Sequence, residues 1–302
     1  MIQTVNLNSS LDYYMRLASL KKGETNRVEI NALVAGGKGI NAALVAKAYG
    51  ADVRAVVAVG GFVGDEIVSR LEEAGLTCDF VRLSHDSRIN VKVKAEEETE
   101  INGRADALTE AEIDAAASKL IVGRGDWLVL SGNAPQGTRV DVYRYLAGKA
   151  NGARVAVDAW GDQLALAVEA EPFLIKPNLD ELSGFFGKNI EATEVAEYAA
   201  RLRSLGAKNV LVTLGGDGAV LASEDGGIYS ADAPRGRLVN STGAGDSTVA
   251  GFITAYDVYC GDAERTFAFA VASGSACAFK ESLPCLADTE ALVGDVRVRK
   301  IK

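Results

Sequence analysis

The run Asn240-Ser-Thr-Gly243-Ala244-Gly245-Asp246 sets three small residues directly ahead of an acid, and an apolar stretch with helical spacing follows it. Backbone N–H groups of Gly243, Ala244 and Gly245 can form a nest for a developing phosphoryl charge. A carboxylate beside that nest is placed to take a proton from an attacking hydroxyl. Asp is also a preferred helix N-cap, and Asp246 on its own would be read as one. The small residues before it, and Ala250-Gly251 behind it, favour catalysis.

A second glycine run, Ala35-Gly36-Gly37-Lys38-Gly39-Ile40-Asn41-Ala42, follows a strand pattern and opens a helix. Gly37-x-Gly39-x-x-Ala42 satisfies a lax dinucleotide fingerprint. A P-loop fails, because Gly39 follows the lysine where Ser or Thr is required and Ala32 stands at the first glycine. The third reading is a substrate loop, with Lys38 as a charge and Asn41 as a hydrogen-bonding group. A purely structural turn also remains open.

Other groups are weaker alone. Val212-Thr213-Leu-Gly215-Gly216-Asp-Gly218 ends a buried strand in a turn that suits either nucleotide phosphates or a plain hairpin. In Lys176-Pro-Asn178-Leu-Asp-Glu181 the last two named polar residues lie one helical turn apart. Such a pair can orient water on Mg²⁺ or cap a helix. Asp12 follows the first strand, and Arg88, Asn90 and Lys92 share one strand face at period two. With Lys38 they form a candidate cationic pocket, although a solvated face is the ordinary reading of such charges. His85 lies in a polar turn, and no specific role is assigned to it.

These residues sit in a 302-residue chain of formal net charge −9, with 48% apolar and 24% charged residues. That fits one large α/β domain and excludes disorder, collagen and coiled coil. The acidic balance argues against nucleic acid and anionic membranes as partners. A single histidine rules out multi-histidine zinc sites, and four cysteines without C-x-x-C spacing indicate neither a metal ribbon nor a redox dithiol. No leader or apolar run near 18 residues is present, so a soluble, cytoplasmic protein is expected.

The elements must bring the motifs together. Strands are expected at Gln3–Leu7, Val53–Val59, Trp127–Ser131, Arg154–Asp158, Phe173–Ile175 and Asn209–Leu214. Helices are expected at Gly39–Tyr49, Asp65–Ala74, Thr109–Leu120, Val140–Ala150, Thr193–Leu205, Ser247–Tyr259 and Ala263–Phe279, with Thr109 and Glu112 as a capping box. The alternation predicts a mostly parallel sheet with helices on both faces. Tyr13–Leu33 and Arg88–Asn102 break it and read as strands of a small separate sheet, either covering a site or forming surface hairpins.

Gly36-Gly37-Lys38-Gly39-Ile40-Asn41, with Gly50 and Gly60 downstream, resembles the N-terminal signature of the ribokinase-like (PfkB) sugar kinases. Asn240 to Asp246 resembles their C-terminal signature, and the resemblance runs nearly end to end. It implies an α/β fold, a three-layer α/β/α ribokinase-like core with a β-sheet lid. The core would comprise residues 1–9, 35–86 and 105–302, and the lid residues 10–34 and 87–104. It further implies that Asp12, Gly36, Gly37, Lys38, Asn41, Arg88, Asn90 and Lys92 bind a sugar phosphate. Lys176, Asn178, Thr213, Gly215, Gly216, Gly218, Gly243 and Gly245 would bind ATP. Gly243, Ala244 and Gly245 would stabilise the transferring group with Asp246 as base, and Asn178 and Glu181 would act near Mg²⁺ through water. Relatives commonly pair into homodimers through the lid.

Ser87 to Lys92 and Glu98 to Gly103 are most similar to the members that convert fructose 1-phosphate to fructose 1,6-bisphosphate. Members acting on tagatose 6-phosphate or fructose 6-phosphate are the near alternative. Several positions depart from the family: Asn8-Ser9 lacks a proline, Asn133 and Ala134 replace Ser and Leu, and Trp160 replaces a small hydroxyl residue. Arg104-Ala105 stands for Gly-Pro, and Lys280 for a serine. They leave the Asp246 turn and its chemistry intact. A dinucleotide-dependent oxidoreductase is the distant alternative. A catalytically dead sugar sensor fits poorly with an intact Asp246 turn.

Overall fold

The computed structural model describes residues 1–302. Along the chain run β1 (Ile2–Asn6), β2 (Ser10–Arg16), β3 (Ile30–Gly36), α1 (Lys38–Ala48), β4 (Val53–Val59), α2 (Gly61–Glu73) and β5 (Thr77–Arg82). Next come β6 (Arg88–Lys94), β7 (Glu98–Asn102), α3 (Glu110–Ser118), β8 (Trp127–Ser131), α4 (Val142–Ala147), β9 (Arg154–Asp158) and α5 (Gly161–Val168). The remainder holds β10 (Leu174–Ile175), α6 (Leu179–Phe186), α7 (Val195–Ser204), β11 (Asn209–Thr213), β12 (Ala219–Ala222) and β13 (Ile228–Asp232). Helices α8 (Ala244–Val258), α9 (Ala263–Ala278) and α10 (Leu286–Val293) precede the final strand, β14 (Arg297–Lys300).

Runs such as Val56-Val57 and Leu128-Val129-Leu130 are buried throughout, as strands covered on both faces must be. They belong to a ten-stranded sheet of order β14-β13-β12-β11-β10-β9-β8-β1-β4-β5. Pairing is parallel from β5 to β11 and antiparallel across β12, β13 and β14. One apolar core, with Ile40, Trp127, Phe252 and Phe267, fills one face beneath α1, α2, α8 and α9. The other, with Leu7, Leu130, Tyr143 and Leu146, fills the opposite face beneath α3 to α7. This is the three-layer arrangement expected.

The local expectations hold in type more than in extent. Thr109 and Glu112 form the expected capping box. Helix α2 begins at Gly61 rather than Asp65, because extended Gly60 serves as its N-cap and its first turn contains two glycines, which weaken the helical pattern. The turn after β11 is followed by an antiparallel edge, β12 and β13, which the alternation of strands and helices does not indicate.

The two interrupting stretches meet in a four-stranded sheet of order β3-β2-β6-β7. Its central pair, β2 with β6, is parallel, with Asp12 opposite Asn90 and Tyr14 opposite Lys92. Alternation turns Ser10, Asp12, Asn90 and Lys92 to one face and Leu33, Ile89 and Ile101 to the other. On that second face Ile101 is 62% exposed, Ile89 43% and Leu33 36%. No helix is long and apolar enough to cross a membrane.

Candidate active site

The glycine runs are built for close approach. A Cβ at Gly36 would lie 2.6 Å from the Asp12 carboxylate on the paired strand. Asp12 Oδ1 accepts hydrogen bonds from Ser10 Oγ (2.6 Å) and Asn90 Nδ2 (2.8 Å), which leaves Oδ2 free. Gly37, the N-cap of α1, has φ +135° and presses on the Asn6 carboxamide, which in turn accepts from the Gly39 N–H at 3.2 Å. The first signature is thus bolted to the end of β1, and Lys38 projects from the first turn of α1.

The two signatures touch. Asn41 Nδ2 donates to Asp246 Oδ2 at 2.8 Å across 205 residues of sequence. Asp246 is buried in the first turn of α8, behind Gly243, whose φ of +86° starts the helix. Burial pushes its carboxyl up to about 6; Lys38 pulls it down, and Asp158 nearby pushes further up. The N–H groups of Gly243 and Gly245 are free of backbone partners, as befits a helix start, whereas the Ala244 N–H leans toward the Ser241 carbonyl at 3.3 Å.

Asp158, at the carboxyl end of β9, organises the charges. It is fully buried, and its Oδ1 stands 3.2 Å from both Lys38 Nζ and Lys176 Nζ. Its Oδ2 has no partner. Burial alone would push its carboxyl up and disfavour the charge, but the two ammonium groups outweigh that and hold it below the usual range. Burial likewise works against the charge on Lys38, yet Asp158, Asp246 and Glu181 together keep it firmly protonated. Lys176 reaches under the second signature, since a Cβ at Gly245 would sit 3.2 Å from its Nζ.

On the nucleotide side, Asn178 and Glu181 do form a capping box at the start of α6, with bonds of 2.7 and 2.8 Å. Glu181 Oε1 still faces Lys38 Nζ at 3.9 Å. Thr213 ends β11 and makes an isolated bridge with Asn178. The following turn is a β11–β12 hairpin, in which Gly218 (φ +102°) lies against the Ala231 carbonyl while Gly215 and Gly216 face open space.

A cleft of about 1000 Å³ between the two sheets gathers nearly all the expected residues. Asp12, Gly37, Lys38, Asn41, Asn90, Lys92, Lys176, Asn178, Glu181, Thr213, Gly215, Gly216, Gly218 and Gly243 to Asp246 all line it. Gly36 does not, being the glycine that makes room for Asp12. Nor does Arg88: it lies behind Asn90, with long contacts to Asn90 Oδ1 (3.3 Å) and the Gly103 carbonyl (3.5 Å) and an unpartnered Nε.

Lys38, Arg88 and Lys92 therefore do not converge as one cationic pocket. Lys38 joins the Asp158 group, whereas Lys92 pairs with Glu100 Oε2 at 2.6 Å on the neighbouring strand. In an acidic chain a buried ammonium takes a carboxylate partner, and the two lysines each have one, whereas Arg88 has none. Lys280 is likewise occupied, 2.5 Å from Asp288 and outside the cleft. The dinucleotide reading loses its context, because the strand before Gly37 belongs to the small sheet and not to a βαβ unit.

Two contributors escaped the sequence reading. Asp158 could have been found as an acid ending a buried strand at its carboxyl end, where α/β proteins place ligands. Glu100 required the β6–β7 register, which the sequence does not display.

The pfkB family carbohydrate kinase domain matches residues 6–284. The 1-phosphofructokinase of Bacillus subtilis is 38% identical over the full length of both chains. That of Borreliella burgdorferi is 34% identical over all of this chain and 99% of its own. The structure superposes on phosphofructokinase-2 from Escherichia coli, solved in complex with substrates and products, with a TM-score of 0.90 at 27% identity, covering 97% of this chain and 98% of that one. With both signatures meeting at Asp246 and full-length relatives of one kind, the chain belongs to the pfkB family of carbohydrate kinases.

Proposed function

We propose that the protein transfers the γ-phosphoryl group of ATP to the free primary hydroxyl of fructose 1-phosphate, giving fructose 1,6-bisphosphate. The observation that carries the reading is Asp246, a buried carboxylate poised near pH 6 at a helix start, facing a cleft that Asp12 and Lys92 enter from the opposite sheet. The names of the two full-length relatives support the choice of sugar.

In this reading Asp246 accepts the hydroxyl proton as the phosphoryl group moves, its proton affinity being matched to near-neutral pH. The Gly243 and Gly245 N–H groups and the Lys38 and Lys176 ammoniums stabilise the equatorial oxygens, with Asp158 fixing both lysines. Ala244 contributes less through its N–H than through its small size. Asp12 Oδ2 accepts from sugar hydroxyls and orients the nucleophile. Lys92 leaves Glu100 for the phosphate already on the sugar, with Arg88 adding positive potential from behind Asn90. ATP lies along Thr213, Gly215, Gly216 and Gly218, and Asn178 bridges the two sides.

No three acids, histidines or cysteines cluster closely enough to hold a bare ion. Glu181 and Asn178, which line the cleft, would hold through water a Mg²⁺ ion that arrives on ATP. Such an ion would neutralise phosphate charge. The small sheet acts as a lid that excludes water. Its apolar outer face takes a second copy of the chain, and the protein works in the cytoplasm, where its four cysteines stay free.

ATP consumption measured across fructose 1-phosphate, fructose 6-phosphate, tagatose 6-phosphate and fructose tests the reading. Preference for fructose 1-phosphate is expected; a higher kcat/KM for either 6-phosphate reassigns the substrate. Binding of NAD but not ATP would return the oxidoreductase alternative.

A further inference from the structure

Asn133 and Trp160, which lie in the loops after β8 and β9, are partners. Asn133 follows β8 and Trp160 follows β9, where it is the N-cap of α5. Asn133 Nδ2 donates to the Trp160 carbonyl (3.0 Å) and Asn133 Oδ1 accepts from the Trp160 N–H (2.9 Å). One residue further along, Gln163 repeats the pattern in reverse, accepting from the Ala134 N–H at 2.9 Å and donating to its carbonyl at 3.3 Å. Asn8 Nδ2 ties the Asn133 carbonyl to the loop after β1 at 3.1 Å. Two reciprocal carboxamide pairs therefore lock the loops after β8 and β9 together.

The locked segment holds the Trp160 ring over Lys38, with Nζ 5.3 Å from the ring centroid. The Lys38 stem runs past Gly132, where a Cβ would stand in ordinary contact with it at 3.6 Å. Lys38 is 31% exposed, so the indole covers a flank of the ammonium that Asp158 and Glu181 do not. We propose that Trp160, held by Asn133, is a positioning residue that keeps the Lys38 ammonium turned into the cleft. The chemistry explains why an aromatic ring suits this place. A further carboxylate beside Asp158, Glu181 and Asp246 would stabilise the cation equally but would repel ATP and the phosphosugar. A ring face stabilises it without adding charge. The inference rests on the role given above to Lys38.

The chain has two tryptophans, and Trp127 is fully buried, so quenching by solutes reports Trp160. Iodide is drawn to an ammonium beside the ring, whereas acrylamide is indifferent to charge. Lys38→Met and Asn133→Ala are each expected to lower iodide quenching about twofold or more relative to acrylamide. Trp160→Ser should lower kcat/KM by about two- to fivefold, the range of a partly exposed cation–π contact. Trp160→Phe, which keeps an aromatic face, should recover most of that loss. Asn133→Ala should match Trp160→Ser, and the double variant should be no worse than either alone. Iodide quenching unchanged in Lys38→Met, equal losses in Trp160→Phe and Trp160→Ser, or multiplying losses in the double variant would each overturn the proposal. Should the unmodified protein consume no ATP with any phosphosugar, the proposed function fails, and the quenching comparison still decides whether Trp160 governs Lys38.

Discussion

Replacing Asp246 by Asn keeps the shape of the side chain and an oxygen for the Asn41 bond while removing the negative charge. The carboxyl is raised from 3.8 to about 6 in the folded protein, a shift of roughly two pH units. Each unit corresponds to about 1.4 kcal/mol, so the ionised side chain costs the fold on the order of 3 kcal/mol. The sign follows from proton binding. Below about pH 4 the group is protonated in folded and unfolded chains alike, and no cost exists. The cost grows from there to about pH 6 and is complete above it. Asp246→Asn, neutral throughout, should therefore be more stable than the parent by on the order of 3 kcal/mol at pH 8 and by roughly half that at pH 5. Urea unfolding at the two pH values measures the difference. The same variant should lose about 10²–10⁴-fold in kcat with KM values little changed, as expected for a missing general base. Turnover within tenfold of the parent, or a stability gain that does not depend on pH, refutes the argument that a buried, strained charge is kept here for proton transfer.

Four other perturbations probe separate parts of the molecule. Lys92→Ala should raise KM for fructose 1-phosphate by about 10–100-fold, the value of a hydrogen bond to a charged group, and leave fructose itself nearly unaffected; equal effects on both sugars remove Lys92 from the phosphate subsite. Gly36→Ala forces a methyl group against the Asp12 carboxylate, so KM for the sugar should rise roughly tenfold or more while KM for ATP stays constant in the same assay. Ile101→Asp places a charge on the apolar outer face of the small sheet; if that face pairs two copies as proposed, sedimentation should report a dimer for the parent and a 31.6 kDa monomer for the variant. Arg154, stacked on Trp127 at 4.5 Å and Tyr256 at 5.2 Å and paired with Asp257, is remote from the cleft; Arg154→Ala should cost about 1–2 kcal/mol in urea unfolding with unchanged kinetics.

What the sequence discloses depends on how many residues carry each message. Asp246 was legible because three small residues and an apolar helix stand around it, and β4, β8 and β9 because runs rich in buried Val, Leu and Ala have few other uses. Asp158 spoke with one letter at the end of such a run. Lys38 was visible as a charge but not its three carboxylate neighbours, because they come from the ends of β9, α6 and α8 and meet only in space. The pairing of Lys92 with Glu100 depends on a strand register that no turn between β6 and β7 announces. Helices α5 and α6 have eight residues each, too few to declare a period against the glycines and prolines beside them.

The parallel pairing of β2 with β6 has a consequence for how the protein comes into being. Asp12 and Asn90 are 78 residues apart, so this pair cannot close as a local hairpin. The intervening chain must first fold β4, α2 and β5 onto the large sheet, which makes the small sheet a late arrival dominated by non-local contacts. In the reverse direction it can detach while the ten-stranded sheet persists. Amide protons of β2, β3 and β6 should therefore exchange through a partial opening well below the free energy of global unfolding, and those of β1 and β8 only through the whole. A ligand held between the two sheets would slow the first group and leave the second alone, making exchange at β2 a direct gauge of how firmly the sugar is held.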